Sequence, residues 1–119
     1  MKLRILGNKV RLRLSMTEVS QLCAGESVSI TVNFPLGNNL IYMVINNPEL
    51  EKIEICYLEN TISLSVPNKI LSGWLDDDRE GIYYKWETQQ FEIALEKDFQ
   101  CLHKRPGEDE KDNFQNPRN

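Results

Sequence analysis

Four segments of the chain alternate apolar and polar residues on both sides of a short turn, and this pattern constrains the fold more than any other feature. In the first segment, residues 2–6 and 9–14 flank the turn residues Gly7 and Asn8. Alternation of period two is typical of strands with one buried face, and a two-residue turn determines which residues oppose each other. Leu3 then faces Leu12, and the segment is predicted to be a β-hairpin.

The same reasoning predicts three further hairpins. Residues 28–34 face residues 40–44 across a loop at 35–39, residues 53–57 face 62–66 across Glu59 and Asn60, and residues 82–86 face 91–95 across Thr88 and Gln89. Each turn places apolar residues opposite apolar residues, and this agreement specifies a register. Residues 40–45 are apolar on both faces, which predicts a strand that is central or covered by a helix. About eight strands are therefore expected.

Two short helices are predicted between the hairpins. Ser15 and Glu18 form a capping-box pattern, and Gly25 lies where the first helix should end. The second helix opens near Pro67 and buries a set of apolar side chains, namely Ile70, Leu71, Trp74 and Leu75. The predicted fold class is α+β, mainly antiparallel β, with four hairpins in one curved or barrel-like sheet and two sandwiched sheets as the alternative.

The chain is predicted to hold one domain, residues 1–103, followed by an acidic tail, residues 104–119. Phe114, the aromatic residue of the tail, can plug a groove on the domain or on a partner, and docking on the domain is favoured. The two halves of the domain also align with each other, with Asn8 on Asn60, so that each half reads as hairpin, helix, hairpin. Any two alternating strands align in this way, so the pattern leaves a duplication open.

Composition restricts the class of protein. The chain is 40% hydrophobic and 27% charged with a net charge of −4, which indicates a folded protein and disfavours nucleic acid as a partner. Neither a membrane span of about 18 apolar residues nor a signal peptide is expected, and a cytoplasmic location is predicted. The cysteines Cys23, Cys56 and Cys101 are widely spaced and are predicted to be reduced, inert thiols.

The first hairpin carries a predicted anion site made of Lys2, Arg4, Arg11 and Arg13. Its register places Arg4 opposite Arg11 and Lys2 opposite Arg13 on one face, and like charges opposite each other need a neutralising group. Solvent, acids of the same chain at 76–78, 80 or 108–112, and a bound anion held by guanidinium groups all remain open. If the sheet closed into a barrel, these side chains could point inward, with Glu54 and Glu92 as candidate metal carboxylates.

Cys101 and His103 form the one Cys-x-His pair of the sequence. A zinc site normally needs four ligands, and no second pair lies nearby. A cysteine–histidine nucleophile would also need an orienting residue and an oxyanion hole, which the sequence does not identify. No metal, no cofactor and no catalytic residue is therefore predicted.

Both ends of the chain are similar to a small family of uncharacterised bacterial proteins. The resemblance lies in Gly7-Asn-Lys-Val-Arg-Leu-Arg-Leu-Ser-Met-Thr-Glu-Val19, in residues 96–102 and 107–112, and in Phe114-Gln-Asn-Pro117. It implies a bacterial cytoplasmic protein without an assigned function and transfers no catalytic residue.

A non-enzymatic binding or interaction module is the leading interpretation, because one histidine and scattered acids do not assemble a catalytic set. The alternative is a phosphate- or anion-binding enzyme or sensor that uses the predicted anion site. The expected partner is a small anionic ligand or a protein, and homodimerisation through an uncovered strand edge is compatible with either interpretation.

Overall fold

A computed structural model describes residues 1–100 and 111–115 of the chain. They form two compact units: Met1–Val19 with the described residues from Asp78 onward, and Ser20–Asp77. In chain order the elements are β1 (Lys2–Leu6), β2 (Lys9–Leu14), α1 (Met16–Cys23), β3 (Val28–Asn33), β4 (Asn39–Asn47), β5 (Glu54–Leu58), β6 (Thr61–Pro67), α2 (Asn68–Leu71), β7 (Gly81–Trp86) and β8 (Phe91–Lys97).

All four hairpins form in the predicted register. Leu3 faces Leu12 in the first, Ile30 faces Tyr42 in the second, Ile55 faces Leu64 in the third and Ile82 faces Leu95 in the fourth. The turn between β5 and β6 places Glu59 at φ 52° and Asn60 at φ 61°, the left-handed region that a type I′ turn requires at both of its central positions. Local turn geometry and strand alternation together determine these pairs.

The prediction of one curved or barrel-like antiparallel sheet is wrong. The strands form two separate open sheets, with strand orders β1-β2-β8-β7 in the first unit and β3-β4-β6-β5 in the second. Each sheet is mixed, because the central pairs β2–β8 and β4–β6 run parallel. Alternation within a hairpin specifies which residues of that hairpin oppose each other, but it carries no information on which hairpin lies beside it.

The two sheets share one connectivity. In each, the second strands of two hairpins pair in parallel at the centre, and the first strands form the edges. The amide of Glu92 donates to the carbonyl of Asn8 at 2.9 Å in the first sheet, and the amide of Ile41 donates to the carbonyl of Asn60 at 2.9 Å in the second. Each predicted half therefore contributes one hairpin to each sheet, and the duplication stays a prediction.

Helix α1 has the predicted ends. The amide of Ser15 donates to Glu18 Oε1 at 2.9 Å and the amide of Glu18 donates to Ser15 Oγ at 3.3 Å, which is a complete capping box. At the other end Gly25 adopts φ 96° and its amide donates to the carbonyl of Leu22 at 3.1 Å. Helix α2 ends sooner than predicted, at Leu71, and Gly73 follows at φ 79°.

Each unit has a core on one side of its sheet. In the first unit β2 buries alternate residues, and β7 and β8 add further apolar side chains to the same set, which comprises Val10, Leu12, Leu14, Ile82, Ile93 and Leu95. In the second unit the sheet and the segment that begins with α2 bury Val28, Tyr42, Val44, Ile62, Leu64, Val66, Leu71 and Trp74. None of the described helices is long and apolar enough to cross a membrane.

The described part of the C-terminal segment packs on the first unit. The amide of Phe114 donates to the carbonyl of Asp98 at 2.8 Å, and the rings of Phe99 and Phe114 meet edge to face at 5.8 Å between centroids. Lys97 Nζ lies 5.3 Å from the centroid of the Phe114 ring, a distance at which a cation is attracted by the ring. Phe114 is therefore buried on the chain's own body. The boundary at residue 104 stays a prediction, because residues 101–110 and 116–119 lie outside the described part.

Candidate anion-binding face

The outward side of the first sheet is its charged face. Strands β1 and β2 contribute five cations, and β8 with the residue after it contributes three acids. The cations are Lys2, Arg4, Lys9, Arg11 and Arg13, and the acids are Glu92, Glu96 and Asp98. All share this side because strand side chains alternate and because the β2–β8 register aligns Lys9 with Glu92 and Arg13 with Glu96. Among these eight residues positive charge is in excess.

Glu96 is the residue that organises the middle of the charged face. Its Oε1 lies 3.1 Å from Arg11 Nε and 3.6 Å from Arg13 Nε. Its Oε2 accepts a hydrogen bond of 2.9 Å from the Tyr83 hydroxyl. Arg11 Nε and Glu96 Oε1 are both shielded from solvent, yet the N–H is not aimed well enough at the oxygen for a hydrogen bond. The contact between them is thus mainly electrostatic.

Burial and the same carboxylate together change the acidity of the neighbouring Tyr83. Partial burial of the Tyr83 hydroxyl, its hydrogen bond to Glu96 and the negative charges of Glu96 and Glu80 raise the pKa of Tyr83 to about 12. The nearby Arg11 opposes this increase. Tyr83 is therefore a neutral hydrogen-bond donor at neutral pH, and it helps to hold Glu96 in place.

Two other acids pair with cations of the first hairpin. Lys2 Nζ lies 2.9 Å from Asp98 Oδ2, a close ion pair with a largely buried carboxylate. Lys9 Nζ lies 3.8 Å from Glu92 Oε2, a looser pair in which both side chains are substantially exposed. Lys2 is therefore held more tightly than Lys9 by an acid of its own chain.

Arg4 differs from the other cations of the charged face. It is exposed, and no acidic side chain within residues 1–100 or 111–115 forms an ion pair with it. It lines a shallow depression of about 110 Å³ together with Leu6, Lys9 and Arg11. This depression brings three cations around one opening, and only Lys9 and Arg11 have acidic neighbours among the described residues.

The structure thus divides the predicted anion site. Arg4 and Arg11 line the depression, and Lys2 and Arg13 do not. Lys2 pairs with Asp98, and Glu96 lies beside both Arg11 and Arg13. Lys9 is a third lining cation that the sequence reasoning left out of the site, although its alternation with Arg11 places it on the same side of β2.

Among the described residues, the acids beside these cations belong to a segment that the sequence reasoning did not assign to them. Of the candidate positions 76–78, 80 and 108–112, residues 108–110 lie outside the described part, and Asp112 accepts a hydrogen bond of 2.9 Å from the Thr17 hydroxyl. The acids come from β8 and Asp98, because β8 runs parallel beside β2. In the sequence, Glu92 and Glu96 lie on the same side of the predicted strand β8. This observation identifies them as partners of the cations only once β8 is known to lie beside β2.

The remaining candidates do not join this face. Glu54 lies in β5 of the second unit, and Cys101 and His103 lie outside the described residues. Cys23 is half-buried and its thiol donates to the carbonyl of Leu71 at 3.4 Å, and Cys56 is exposed. Within residues 1–100 and 111–115, no three histidine, cysteine, aspartate or glutamate side chains cluster closely enough to hold a metal ion.

These features define a class of protein: a mainly β, α+β protein with two mixed four-stranded sheets, one of which presents a charged face. The chain belongs to the family described as Family of unknown function (DUF7009), whose family model matches residues 1–118. A comparison with curated proteins found no match. The predicted membership in an uncharacterised family is confirmed, and the bacterial source and cytoplasmic location stay predictions.

Proposed function

We propose that this protein is a non-enzymatic binding module that holds a phosphoryl group of its ligand in the depression lined by Arg4, Lys9 and Arg11. The observation that carries the proposal is the exposed Arg4, which faces no acid in the described part of the chain while two further cations share its depression. Like charges gathered on adjacent strands repel each other, and a bound dianion would relieve that repulsion. Arginine is suited to this task because its planar fork matches two phosphate oxygens.

The size of the depression favours binding over catalysis. Pockets that enclose a small molecule have volumes of about 300–1,000 Å³, whereas this depression has about 110 Å³. One anionic group fits such a space, and the remainder of the ligand would stay in solvent. The nearest carboxylate to Arg11, Glu96, is held between two arginines and Tyr83. In that environment the Glu96 carboxylate is better suited to orienting cations than to transferring protons.

The test is a titration of the full chain with inorganic phosphate, followed by amide chemical shifts and by the melting temperature at constant ionic strength. Saturable shifts centred on the turn between β1 and β2 and a rise in melting temperature are expected, because a ligand that binds only the folded state must stabilise it. Sodium chloride at the same ionic strength controls for screening. An absence of saturable shifts up to about 10 mM phosphate would overturn the proposal.

A matched pair of variants separates the depression from general electrostatics. Arg4→Gln and Lys85→Gln each remove one exposed cation from an edge strand of the same sheet, but Lys85 does not line the depression. We expect Arg4→Gln to weaken phosphate binding about tenfold, as loss of a charge-assisted hydrogen bond does. Lys85→Gln should weaken it less than about twofold, because Glu92 on β8 lies between Lys85 and Lys9, and the Lys85 charge acts on the depression only through the screened field. Equal losses in the two variants would contradict the assignment of the site.

A comparison of three phosphate-containing ligands tests whether the protein recognises the phosphoryl group alone or the whole molecule. A phosphorylated sugar, a nucleoside monophosphate and inorganic phosphate share the dianion and differ in the rest. The proposal expects comparable affinities for all three, because the depression accommodates only the phosphoryl group. Turnover of any of them by the purified protein would instead favour the enzyme interpretation.

A further inference from the structure

The second sheet has two edge strands, β3 and β5, and they differ in how they are protected. Edge strands expose unpaired backbone groups, and natural proteins usually guard them with charged residues, prolines or bulges. Strand β5 carries Glu54 at its start. Strand β3, Val-Ser-Ile-Thr-Val-Asn, contains no charged residue and no proline, and it pairs with β4 over its whole length without a bulge.

The outward edge of β3 is also open among the described residues. The order β3-β4-β6-β5 leaves β4 as its one strand neighbour there. Ser29, Thr31 and Asn33 are exposed on one side of the strand, and Ile30 and Val32 are only half-buried on the other. Phe34 follows directly and is 50% exposed. The edge therefore presents a six-residue neutral strand with apolar side chains that its own sheet does not fully cover.

We propose that β3 is a homodimer interface, in which β3 of a second copy adds antiparallel about a two-fold axis at Thr31. In this register Thr31 faces Thr31 of the partner subunit, and Ser29 and Asn33 face each other across the axis. On the other side Ile30 faces Val32, and Phe34 comes opposite Val28. The axis at Thr31 is preferred because it pairs all four apolar residues of this side with one another, as an isologous interface requires.

The occupant is a second copy because the strand is complementary to itself. Polar side chains meet on the side of Thr31 and apolar side chains meet on the side of Ile30, without any charge that would require an opposite charge on a different partner. The joined sheets would form one sheet of eight strands, in the order β5-β6-β4-β3 from one copy and β3-β4-β6-β5 from the second. Because one strand pair buries a small area, the dimer is expected to be weak and to depend on concentration.

Sedimentation equilibrium of the full chain, from about 10 µM to about 1 mM, tests the proposal. A reversible monomer–dimer equilibrium is expected. Thr31→Lys should weaken it at least tenfold, because two ammonium groups would face each other across the axis. Cys56→Lys is the matched control, since Cys56 is an exposed residue at the centre of the other edge strand. The control should associate like the wild type.

Three results would overturn the interface: a monomer throughout the concentration range, unchanged association of Thr31→Lys, or loss of association in Cys56→Lys. If Thr31→Lys fails to fold, Thr31→Cys in a Cys56→Ser background gives a second readout. Mild oxidation should link that variant into dimers through residue 31, as peptide mapping of the disulfide would show, while the wild type, with cysteines at 23, 56 and 101, should stay unlinked. Linkage of the wild type through Cys56 would place the contact on β5 and contradict the proposal.

Discussion

Tyr83 donates its phenolic hydrogen to Oε2 of Glu96, and Oε1 of the same carboxylate lies 3.1 Å from Arg11 Nε. One carboxylate therefore connects the edge strand β7 to the cationic strand β2 across β8. This arrangement fixes Arg11 at the border of the depression. Because Tyr83 donates to Glu96, the pKa of Tyr83 depends on the charge at the centre of the charged face.

The first prediction concerns the pKa of Tyr83. An ultraviolet difference titration of wild type against Tyr83→Phe should isolate one tyrosine with a pKa of about 12. In the unfolded state the Tyr83 hydroxyl titrates at pH ~10. Between this pH and the folded pKa, the unfolded state therefore binds fewer protons than the folded state. The free energy of unfolding should therefore fall as pH rises from about 10 to about 12. This contribution should be missing in Tyr83→Phe.

Glu96→Gln provides the control for the cause of the shift. It removes the negative charge and the strongest acceptor, so the pKa of Tyr83 should move back toward its ordinary value of 10.0. A pKa near 10 in the wild type, or one unchanged in Glu96→Gln, would mean that this hydrogen bond does not form in solution.

The second prediction concerns Gly81, which lies under the ring of Tyr83. A β-carbon at Gly81 would come within 2.6 Å of Tyr83 Oη and 2.7 Å of Tyr83 Cζ. Gly81→Ala should therefore push the ring away from Glu96 and destabilise the protein by about 1 kcal/mol, the low end of the cost of overpacking, because Tyr83 is exposed and its ring can move. Chemical denaturation measures this loss.

A double-mutant cycle assigns the cost of Gly81→Ala to the ring. In a Tyr83→Ala background the added methyl still lies 3.0 Å from Glu96 Cγ but no longer meets the ring, so the same substitution should cost less than it does in the wild type. Equal costs in the two backgrounds would show that Gly81 is required by the backbone instead.

The third prediction concerns Asp112, which completes the start of α1. Its carbonyl accepts the Met16 amide at 2.9 Å, and its Oδ1 accepts the Thr17 amide at 3.2 Å and the Thr17 hydroxyl at 2.9 Å. These bonds satisfy amides that a helix leaves unpaired at its first turn. Asp112→Ala should cost about 1 kcal/mol, as the loss of a cap does. Asp76→Ala, on an exposed aspartate of the second unit, should cost less than about 0.5 kcal/mol.

The pH dependence of stability distinguishes the contribution of the Asp112 charge from that of its hydrogen-bonding geometry. Burial alone would raise the pKa of Asp112, but hydrogen bonds from Ser15 and Thr17 outweigh burial and lower it below 3.8. As pH falls, the unfolded state takes up this proton first, so the stability due to the charge is present above pH ~4 and is lost as pH falls through the folded pKa. The stability difference between wild type and Asp112→Asn should shrink over that range. A difference that stays constant would assign the effect to geometry alone.

The sequence predicted what is local and missed what depends on assembly. The pairing of Leu3 with Leu12 and the Ser15–Glu18 capping box follow from residues close in the chain, and both are confirmed. The parallel contact of Arg13 with Glu96 joins residues far apart in the chain, and strand alternation contains no signal for it. The four cations were therefore placed on one face correctly, while the acids that β8 brings beside them were not assigned to them.

The last prediction concerns Phe114, which holds the C-terminal segment on the first unit. Phe114 is 8% exposed, contacts Phe99 and lies against the ammonium group of Lys97. Phe114→Ala should lower the free energy of unfolding by about 3 kcal/mol, because it opens a cavity and leaves a buried cation without its ring. Phe34→Ala is the matched control: Phe34 is 50% exposed, so in dilute protein it should cost less than about 1 kcal/mol.

Deletion of residues 104–119 removes Phe114 together with the Asp112 cap, so its cost should equal or exceed that of Phe114→Ala. Denaturation curves of the three variants, measured at the same low protein concentration, provide the comparison. Equal stabilities of Phe114→Ala and Phe34→Ala would mean that the segment does not pack on the domain in solution. In that case the variant that lacks residues 104–119 should be as stable as the wild type, and Phe114 would be free to bind a partner.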